Sequence, residues 1–296
     1  MAFPKEENIQ AVGGASRYLF LLPGIVIYTS VILVPALYTF YLSFFKWNGV
    51  SSFKRFVGFM NYSMLFKDST FLAALQNNAV LLILELVVTG SLALFFAILI
   101  NRTFKGRKLV RGVLYFPYTL SSIVAALAWV WVYQPQLGLL KNLLQIFHLT
   151  QFNQAWLSNA STALFAVFVA EFWHNIGAPM ILFLSGLQTI PHELIEAANI
   201  DGATKFHVFR HITIPMLRES FVIVFATLFI HALKVYDLVY AMTGGGPSDS
   251  TQTLATVMVT QTFKSINFGM GTANACVMVV LLMIVIIPYV SYMAKE

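Results

Sequence analysis

Residues 191–217 read PHELIEAANIDGATKFHVFRHITIPML and form the most polar long segment between two strongly apolar ones. Pro191 suits the first turn of a helix, where the missing N–H of proline is no loss. Gly202 offers that helix an end, and Asp201 is placed to cap a second short helix over residues 203–211. A proline near the end of the segment is expected to break the chain again. The stretch therefore predicts a compact helix–turn–helix between two membrane spans, suited to docking another protein.

Three short strings in this segment resemble the EAA signature of ABC importer permeases that work with a solute-binding protein. They are Glu196-Ala197-Ala198, Asp201-Gly202-Ala203 and Ile214-Pro215. The whole segment, residues 191–217, is similar to that of the sugar-permease branch of this family. The resemblance implies that residues 189–217 are a cytoplasmic coupling segment that seats in a groove on an ATPase subunit. The ATPase-docking residues would then be Glu196, Ala197, Ala198, Asp201 and Gly202, with Glu196 and Gly202 making the main contact.

The composition is typical of a membrane protein. Of the 296 residues, 58% are hydrophobic and only 10% are charged, and apolar runs of membrane-spanning length recur. The net charge of +6 does not indicate a nucleic-acid partner, because the basic residues are scattered over short loops.

The first apolar run is too long for a cleaved signal peptide, so we expect it to anchor the chain. The single cysteine, Cys276, lies in an apolar run and is interpreted as a packing residue.

The apolar runs predict an all-α integral membrane protein with six transmembrane helices. A tail, residues 1–16, precedes a six-span permease domain, residues 17–296. The predicted spans are 18–44, 79–100, 112–133, 162–187, 220–242 and 271–293. The loop between the second and third spans is basic and contains no acid; it holds Arg102, Lys105, Arg107, Lys108 and Arg111. Because positive charge marks the inner side, we expect both termini and residues 189–217 to be cytoplasmic.

Polar side chains interrupt the fourth and fifth spans near mid-membrane, where each ionisable group costs about 2.5–3.5 kcal/mol on insertion scales. At helical spacing, Glu171, His174 and Asn175 share one face of the fourth span. The corresponding polar face of the fifth span carries Thr227, His231, Lys234 and Asp237. The two stripes predict that these spans line a wet cavity, facing each other or a partner subunit.

The family resemblance implies a solute site halfway across the bilayer, on the spans that flank the coupling segment. The substrate-binding candidates are Glu171, Trp173, His174, Asn175, His231 and Lys234. A carboxylate that accepts from sugar hydroxyls, beside an amide that donates and accepts, suits a polyol, and Trp173 offers a stacking face. The alternatives are a structural hydrogen-bond network in the fourth span and mutual neutralisation of Lys234 and Asp237. Glu85, alone in the second span, is interpreted as a hydrogen-bonding partner of a neighbouring helix.

The sequence carries no P-loop, so ATP and Mg²⁺ are expected on partner subunits and this chain is not expected to be an enzyme. No cluster of histidine and cysteine has metal-ligand spacing, and His207 and His211 lack a third ligand, so neither a metal nor another cofactor is expected. The resemblance implies a second permease subunit, identical or different, two ATP-binding ABC subunits and an extracellular solute-binding protein. It places the complex in the lipid of the plasma membrane of a bacterium or archaeon.

The expected function is ATP-driven import of a carbohydrate, either an oligosaccharide or a related polyol. Three alternatives remain open at this point. One is an ABC permease for glycerol phosphate. Another is an ion-gradient-driven secondary transporter that uses Glu171, His174 or Asp237 as a proton site. The third is an intramembrane enzyme with Glu171 and His174 as acid and base.

Overall fold

The structure, a computed structural model, describes the backbone of residues 14–293 and the side chains of residues 21–292. Nearly all of the predicted cytoplasmic tail, residues 1–16, therefore lies outside the described residues. The described chain is mostly helical, as predicted. A two-residue antiparallel pair, Phe45–Lys46 with Arg55–Phe56, closes a short loop after the first long helix.

Many of the helices are short, because several apolar runs are divided by breaks. The α-helices are α1 (Gly14–Tyr28), α2 (Val34–Leu42), α3 (Met60–Leu65), α4 (Ser69–Leu84), α5 (Gly90–Asn101), α6 (Arg107–Tyr115), α7 (Ser122–Val132), α8 (Leu139–Ile146), α9 (Ala163–Asn175), α10 (Gly177–Thr189), α11 (His192–Ile200), α12 (Lys205–Val208), α13 (Ile214–Met216), α14 (Arg218–Lys234), α15 (Asp237–Thr243), α16 (Leu254–Val259) and α17 (Phe268–Met293). Short 3₁₀ helices cover Phe116–Thr119 and Thr150–Phe152.

Wider, π-helical turns occur at Thr29–Leu33, Glu85–Thr89, Phe209–Thr213 and Thr260–Lys264. The first and third of these turns each end two residues before a proline, Pro35 or Pro215. Proline has no N–H to donate, so the carbonyls of the preceding turn must find other partners. The π turns re-pair the backbone there and allow the helix to continue past each proline.

Three helical stretches of residues 14–293 are long and apolar enough to cross a membrane: Leu21–Leu42, Ser69–Asn101 and Phe268–Tyr292. Three further pairs of helices pass the same test together but are bent, by 103° at Leu120–Ser121, 45° at Ile176 and 67° at Leu217. The described residues thus hold up to six candidate spans, in agreement with the predicted fold class.

The second long helix differs from its predicted bounds. It begins at Ser69, ten residues before the predicted start, because the Asp68 side chain caps it by accepting a hydrogen bond from the Thr70 N–H at 3.0 Å. Phe71 and Ala74, assigned from sequence to a loop, are fully buried. The extra turns pack against α16, which brings the N-terminal end of this helix into the core.

The third and fifth spans are interrupted rather than continuous. The predicted span 112–133 turns by 103° after the 3₁₀ helix, which is far more than a proline kink. The predicted span 220–242 ends at Lys234, because Val235 and Tyr236 have non-helical backbone angles, and α15 then starts at Asp237. The predicted polar face that joins Lys234 to Asp237 on one helix is therefore wrong.

Buried apolar side chains identify which connections share an end of the molecule. One cluster joins Ile100 at the end of α5, Leu187 at the end of α10 and Leu217 before α14. Val110 of α6 and Ile195 of α11 pack against the same cluster. The basic loop, residues 102–111, and the coupling segment, residues 189–217, therefore lie at the same end.

Asn78 ties three helices together near the opposite end. Its side chain is 1% exposed, donates to the Ala232 carbonyl at 2.6 Å and accepts from the Leu254 N–H at 2.7 Å. Ala232 is in the last turn of α14 and Leu254 is the first residue of α16, where backbone groups have no partner within their own helix. One amide therefore caps two helices.

We expect Asn78→Ala to lower the free energy of unfolding by about 1–3 kcal/mol for each buried backbone group left without a partner. The measurement is the apparent Tm of the purified protein in detergent. Asn77→Ala is the matched control, because Asn77 is only partly buried and bonds two loop carbonyls, Asp249 O and Gln252 O. An equal fall in Tm for the two variants would contradict the capping role of Asn78.

Candidate functional site

The coupling segment begins with α11, which ends in a tight backbone turn at Gly202. The Ala203 N–H bonds to the Ala198 carbonyl at 2.9 Å, and the Gly202 N–H bonds to the Asn199 carbonyl at 3.1 Å. This pair of bonds is a Schellman motif, which needs a left-handed residue at its centre. Gly202 has φ +80°, a value that glycine adopts without strain. Gly202 is confirmed as the end of the helix.

The second half of the coupling segment differs from the sequence prediction in two ways. Thr204, not Asp201, caps α12, because the Thr204 Oγ1 accepts from the His207 N–H at 3.2 Å. Pro215 does not break the chain; the helical stretch runs from Lys205 to Met216 and bends at Leu217. The π turn before the proline accommodates its missing N–H.

The coupling segment has one apolar side buried and another exposed. Val208 is buried and Ile195 packs on the cluster beneath, which holds the segment against the body of the protein. Ile200 and Phe206 instead are 85% and 68% exposed. A depression of about 480 Å³ lies between α11 and α12; its lining is Ala198, Asp201, Gly202, Ala203, Thr204, His207, His211 and Ile212. Exposed apolar side chains beside a concave polar surface are typical of a protein–protein contact.

The docking candidates all lie on α11 or in its closing turn. Glu196, Ala197, Asp201 and Gly202 are exposed, and Ala198 is partly buried at the edge of the depression. Glu196 is free to contact a partner because the described side chains include no ion pair to it. The assignment of these residues to ATPase docking stays a prediction.

A second polar site is formed where α9 ends in mid-span. Glu171, His174 and Asn175 are 4%, 7% and 7% exposed. The Asn175 Nδ2 donates to the Glu171 side chain at 2.7 Å and to the Glu171 carbonyl at 3.1 Å. The second bond is made to a backbone carbonyl one turn before the end of α9. The polar pair therefore lies directly before the 45° bend at Ile176.

His174 and Trp173 make packing contacts that the sequence did not indicate. The His174 Nε2–H donates to the Leu120 carbonyl at 3.1 Å, in the turn between α6 and α7. His174 therefore joins the break in the fourth span to the break in the third. The Trp173 ring lies edge-on to the Trp129 ring, with centroids 5.9 Å apart. Neither contact tests solute binding, which stays a prediction for these residues.

The fifth span contributes only part of its predicted stripe to this site. The His231 Nε2 lies 3.8 Å from the Glu171 Oε2. Lys234 and Asp237 are exposed on either side of the helix break, and no ion pair joins them among the described side chains. Thr227 is exposed and bonds within its own helix to Ile223 O.

Glu85 also lies at this site, which the sequence did not predict, and the hydrogen bond to a neighbouring helix that was predicted for it is not present among the described residues. Glu85 is 2% exposed. Its carboxylate, the Glu171 carboxylate and the His231 imidazole each place one ligand atom in a group whose members are all within 4.8 Å of one another. We name Glu85, Glu171 and His231 the buried triad, after its two buried carboxylates; the His231 side chain is 36% exposed. A lone acid in an apolar span was the available signal, but its partners lie on two other spans.

The folded spans define a mostly helical, multi-pass membrane protein. Comparison with known proteins identifies its family. Residues 87–294 match the model of the family described as binding-protein-dependent transport system inner membrane component. The chain belongs to this family and is the permease component of an ABC importer in the cell membrane, as predicted.

Curated relatives and solved structures agree with this assignment. The chain is 34% identical over 282 residues to a probable ABC transporter permease protein of Pyrococcus horikoshii, which covers 94% of this chain and 96% of that protein. It is 30% identical over 274 residues to the trehalose/maltose transport system permease protein MalF of Thermococcus litoralis, with 93% and 92% covered. It also shares the fold of a chain of a bacterial alginate ABC transporter crystallised with an alginate pentasaccharide-bound periplasmic protein. That comparison has a TM-score of 0.80, 20% sequence identity and 92% coverage of each chain.

Proposed function

We propose that this chain forms the translocation path for a carbohydrate, an oligosaccharide or a related polyol, delivered by an extracellular solute-binding protein. The observation that supports the proposal is the polar group at the bend of the fourth span, where Asn175 bonds to Glu171 and Glu171 faces His231 of the fifth. Carboxylate, amide and imidazole together offer acceptors and donors for hydroxyl groups. The trehalose/maltose permease and the alginate transporter are named for carbohydrates, which favours the same class of solute.

The proposed complex contains a second permease subunit, identical or different, and two ATP-binding subunits. The coupling segment would receive the ATP-binding partner through the exposed Ile200, Phe206 and Glu196. Its end of the molecule also carries the basic loop, residues 102–111, so the positive-inside rule supports a cytoplasmic position. ATP-driven closure of the partners would pull the coupling segments together. The bends at Ile176 and Leu217 would let the spans tilt and open the path to the inside.

A phosphorylated solute such as glycerol phosphate suits the site less well. Glu85 and Glu171 would face the phosphate with like charge, and juxtaposed like charges disfavour binding. The described side chains of the buried triad offer a single basic group, the His231 imidazole.

The proposal predicts uptake that depends on ATP and not on an ion gradient. The complex, purified with its partners and reconstituted in liposomes, is tested with a labelled carbohydrate and the solute-binding protein present. We expect uptake with internal ATP that persists when ionophores collapse the ion gradients. Uptake that follows the membrane potential without ATP would identify a secondary transporter instead, and a chemically changed product would identify an enzyme.

A further inference from the structure

The buried triad brings together three ligand-type side chains from three different spans. Glu85 comes from the long second helix, Glu171 from α9 and His231 from α14. The Glu171 Oε2 and the His231 Nε2 are 3.8 Å apart, and one ligand atom of each of the three residues lies within 4.8 Å of the others. Sequence spacing could not reveal this group, because 146 residues separate its first and last members.

Glu85 has one carboxylate oxygen without a hydrogen-bond partner in the described part of the chain. This atom, Oε2, is buried. Native structures leave few buried polar atoms unpaired, and each of them calls for an explanation by strain or by a missing water or ion. Glu85 also begins the π turn Glu85–Thr89, a feature that is frequent at functional sites.

We propose that the buried triad is a binding site for one divalent transition-metal ion, with Zn²⁺ as the probe. Carboxylate oxygen and imidazole nitrogen are the usual ligands of Zn²⁺, and three protein ligands leave a fourth position for water or solute. The two carboxylates carry a charge that one divalent ion would neutralise, which favours such an ion in a membrane interior.

The three ligand atoms would hold this ion after movements of up to about 1.4 Å, because each pair of them is at most 4.8 Å apart. Ligand atoms of a tetrahedral zinc site lie about 3.4 Å apart when the metal–ligand bonds are about 2.0–2.1 Å. The Glu171 Oε2 and the His231 Nε2 would therefore close by about 0.4 Å. The Asn175 Nδ2–H already orients the Glu171 carboxylate, in the manner of an outer-shell partner of a metal ligand. The His231 side chain is 36% exposed on the surface of this chain, whereas the two carboxylates are buried.

The proposal is independent of the identity of the transported solute. A proton shared between the two carboxylates is the competing explanation for their proximity. It would leave the purified protein without a specific metal site, so metal binding separates the two explanations.

The experiment measures Zn²⁺ bound by the purified complex in detergent, using equilibrium dialysis and elemental analysis. We expect the wild-type complex to bind one Zn²⁺ per copy of this chain. We expect Glu85→Gln and His231→Gln each to weaken this binding at least tenfold. The matched controls are Glu219→Gln and His211→Gln, which make the same chemical changes at exposed side chains of this chain. Both controls are expected to retain the site.

Two further readouts keep the test decisive. Co²⁺ in place of Zn²⁺ is expected to give visible absorption bands in the wild type and in both controls, but not in Glu85→Gln. Zn²⁺ is also expected to raise the apparent Tm of the wild type, since it binds the folded state. Unchanged zinc binding in Glu85→Gln and His231→Gln would overturn the proposal. So would a wild-type complex with neither bound Zn²⁺ nor a rise in Tm.

Discussion

Glu196→Arg is expected to reduce carbohydrate uptake by at least about 30-fold, because the reversed charge separates the ATP-binding partner from the coupling segment. Glu196 is exposed on α11. The turn that closes this helix, at Gly202, lines the depression. If it pairs with a basic residue of the partner's groove, substitution with arginine juxtaposes two positive charges in a contact that excludes water. Loss of such an interfacial pair costs about 2–5 kcal/mol, and each 1.4 kcal/mol is tenfold in affinity.

The measurements are copurification of the ATP-binding subunit and ATP-dependent uptake in liposomes. Glu193→Arg serves as the control, because Glu193 is an exposed acid in the first turn of the same helix and gives the same change of charge. We expect it to retain most copurification and uptake. If the two variants lose partner binding equally, Glu196 has no special position in the contact. If neither loses it, residues 189–217 are not the docking surface.

A second pair of variants separates backbone shape from surface contact at Gly202. Both Gly202→Ala and Gly202→Asp place a side chain at φ +80°, which costs about 1–2 kcal/mol for alanine and less for aspartate, whose short polar side chain adopts this conformation more readily. A Cβ there would meet no atom within 4 Å, so the isolated chain has space for it. A greater loss of partner binding in Gly202→Asp than in Gly202→Ala would therefore report on the partner's surface. A smaller loss in Gly202→Asp than in Gly202→Ala would assign the effect to the backbone alone.

Glu171→Gln is expected to lower the efficiency of uptake by about 10- to 100-fold while the complex with the ATP-binding subunits stays intact. A hydrogen bond to a charged group contributes about 1.5–3 kcal/mol, and the amide removes the charge without changing the shape of the side chain. The Asn175 Nδ2–H can still donate to the remaining carbonyl oxygen, so the bend at Ile176 is expected to persist. The effect should therefore fall on the solute and not on the fold.

The test compares initial rates of ATP-dependent uptake over a range of solute concentrations. Glu219→Gln makes the same change at an exposed position in the first turn of α14 and is expected to transport normally. His174 is a poorer probe, because its substitution also removes the bond to Leu120. Wild-type uptake by Glu171→Gln would remove the proposed solute contact and leave the hydrogen-bond network as a structural one.

Much of the architecture could be predicted from the sequence, because local chemistry determines it. Apolar runs identify membrane helices without reference to their neighbours, and Gly202 ends α11 because a left-handed residue is needed there. The second cap was misassigned to Asp201. Thr204 is an equally good capping residue, and the choice between the two depends on where the Schellman turn closes.

The candidate site could be predicted only where its members share one helix. Glu171 and Asn175 are four residues apart, so helical spacing alone puts them together. Lys234 and Asp237 were grouped on the same reasoning, but the helix ends between them. At this break, side chains from distant parts of the chain donate hydrogen bonds to the free carbonyls. Asn78 donates to the Ala232 carbonyl, and Thr253 donates to the Val235 carbonyl. A local sequence pattern cannot predict these bonds.

By itself, the sequence determined that the chain is a helical membrane protein and where its apolar runs lie, since composition and periodicity are sufficient for both. A local motif gave the resemblance to the permease family, and the docking role of residues 189–217 stays a prediction. Only the tertiary structure decided that Glu85 stands beside Glu171 and His231, and that His174 bonds to Leu120. The reason is physical. The period of a helix reports which residues share its face, whereas contacts between helices depend on where each span breaks. At those breaks, backbone carbonyls accept hydrogen bonds from side chains that are far away in the chain.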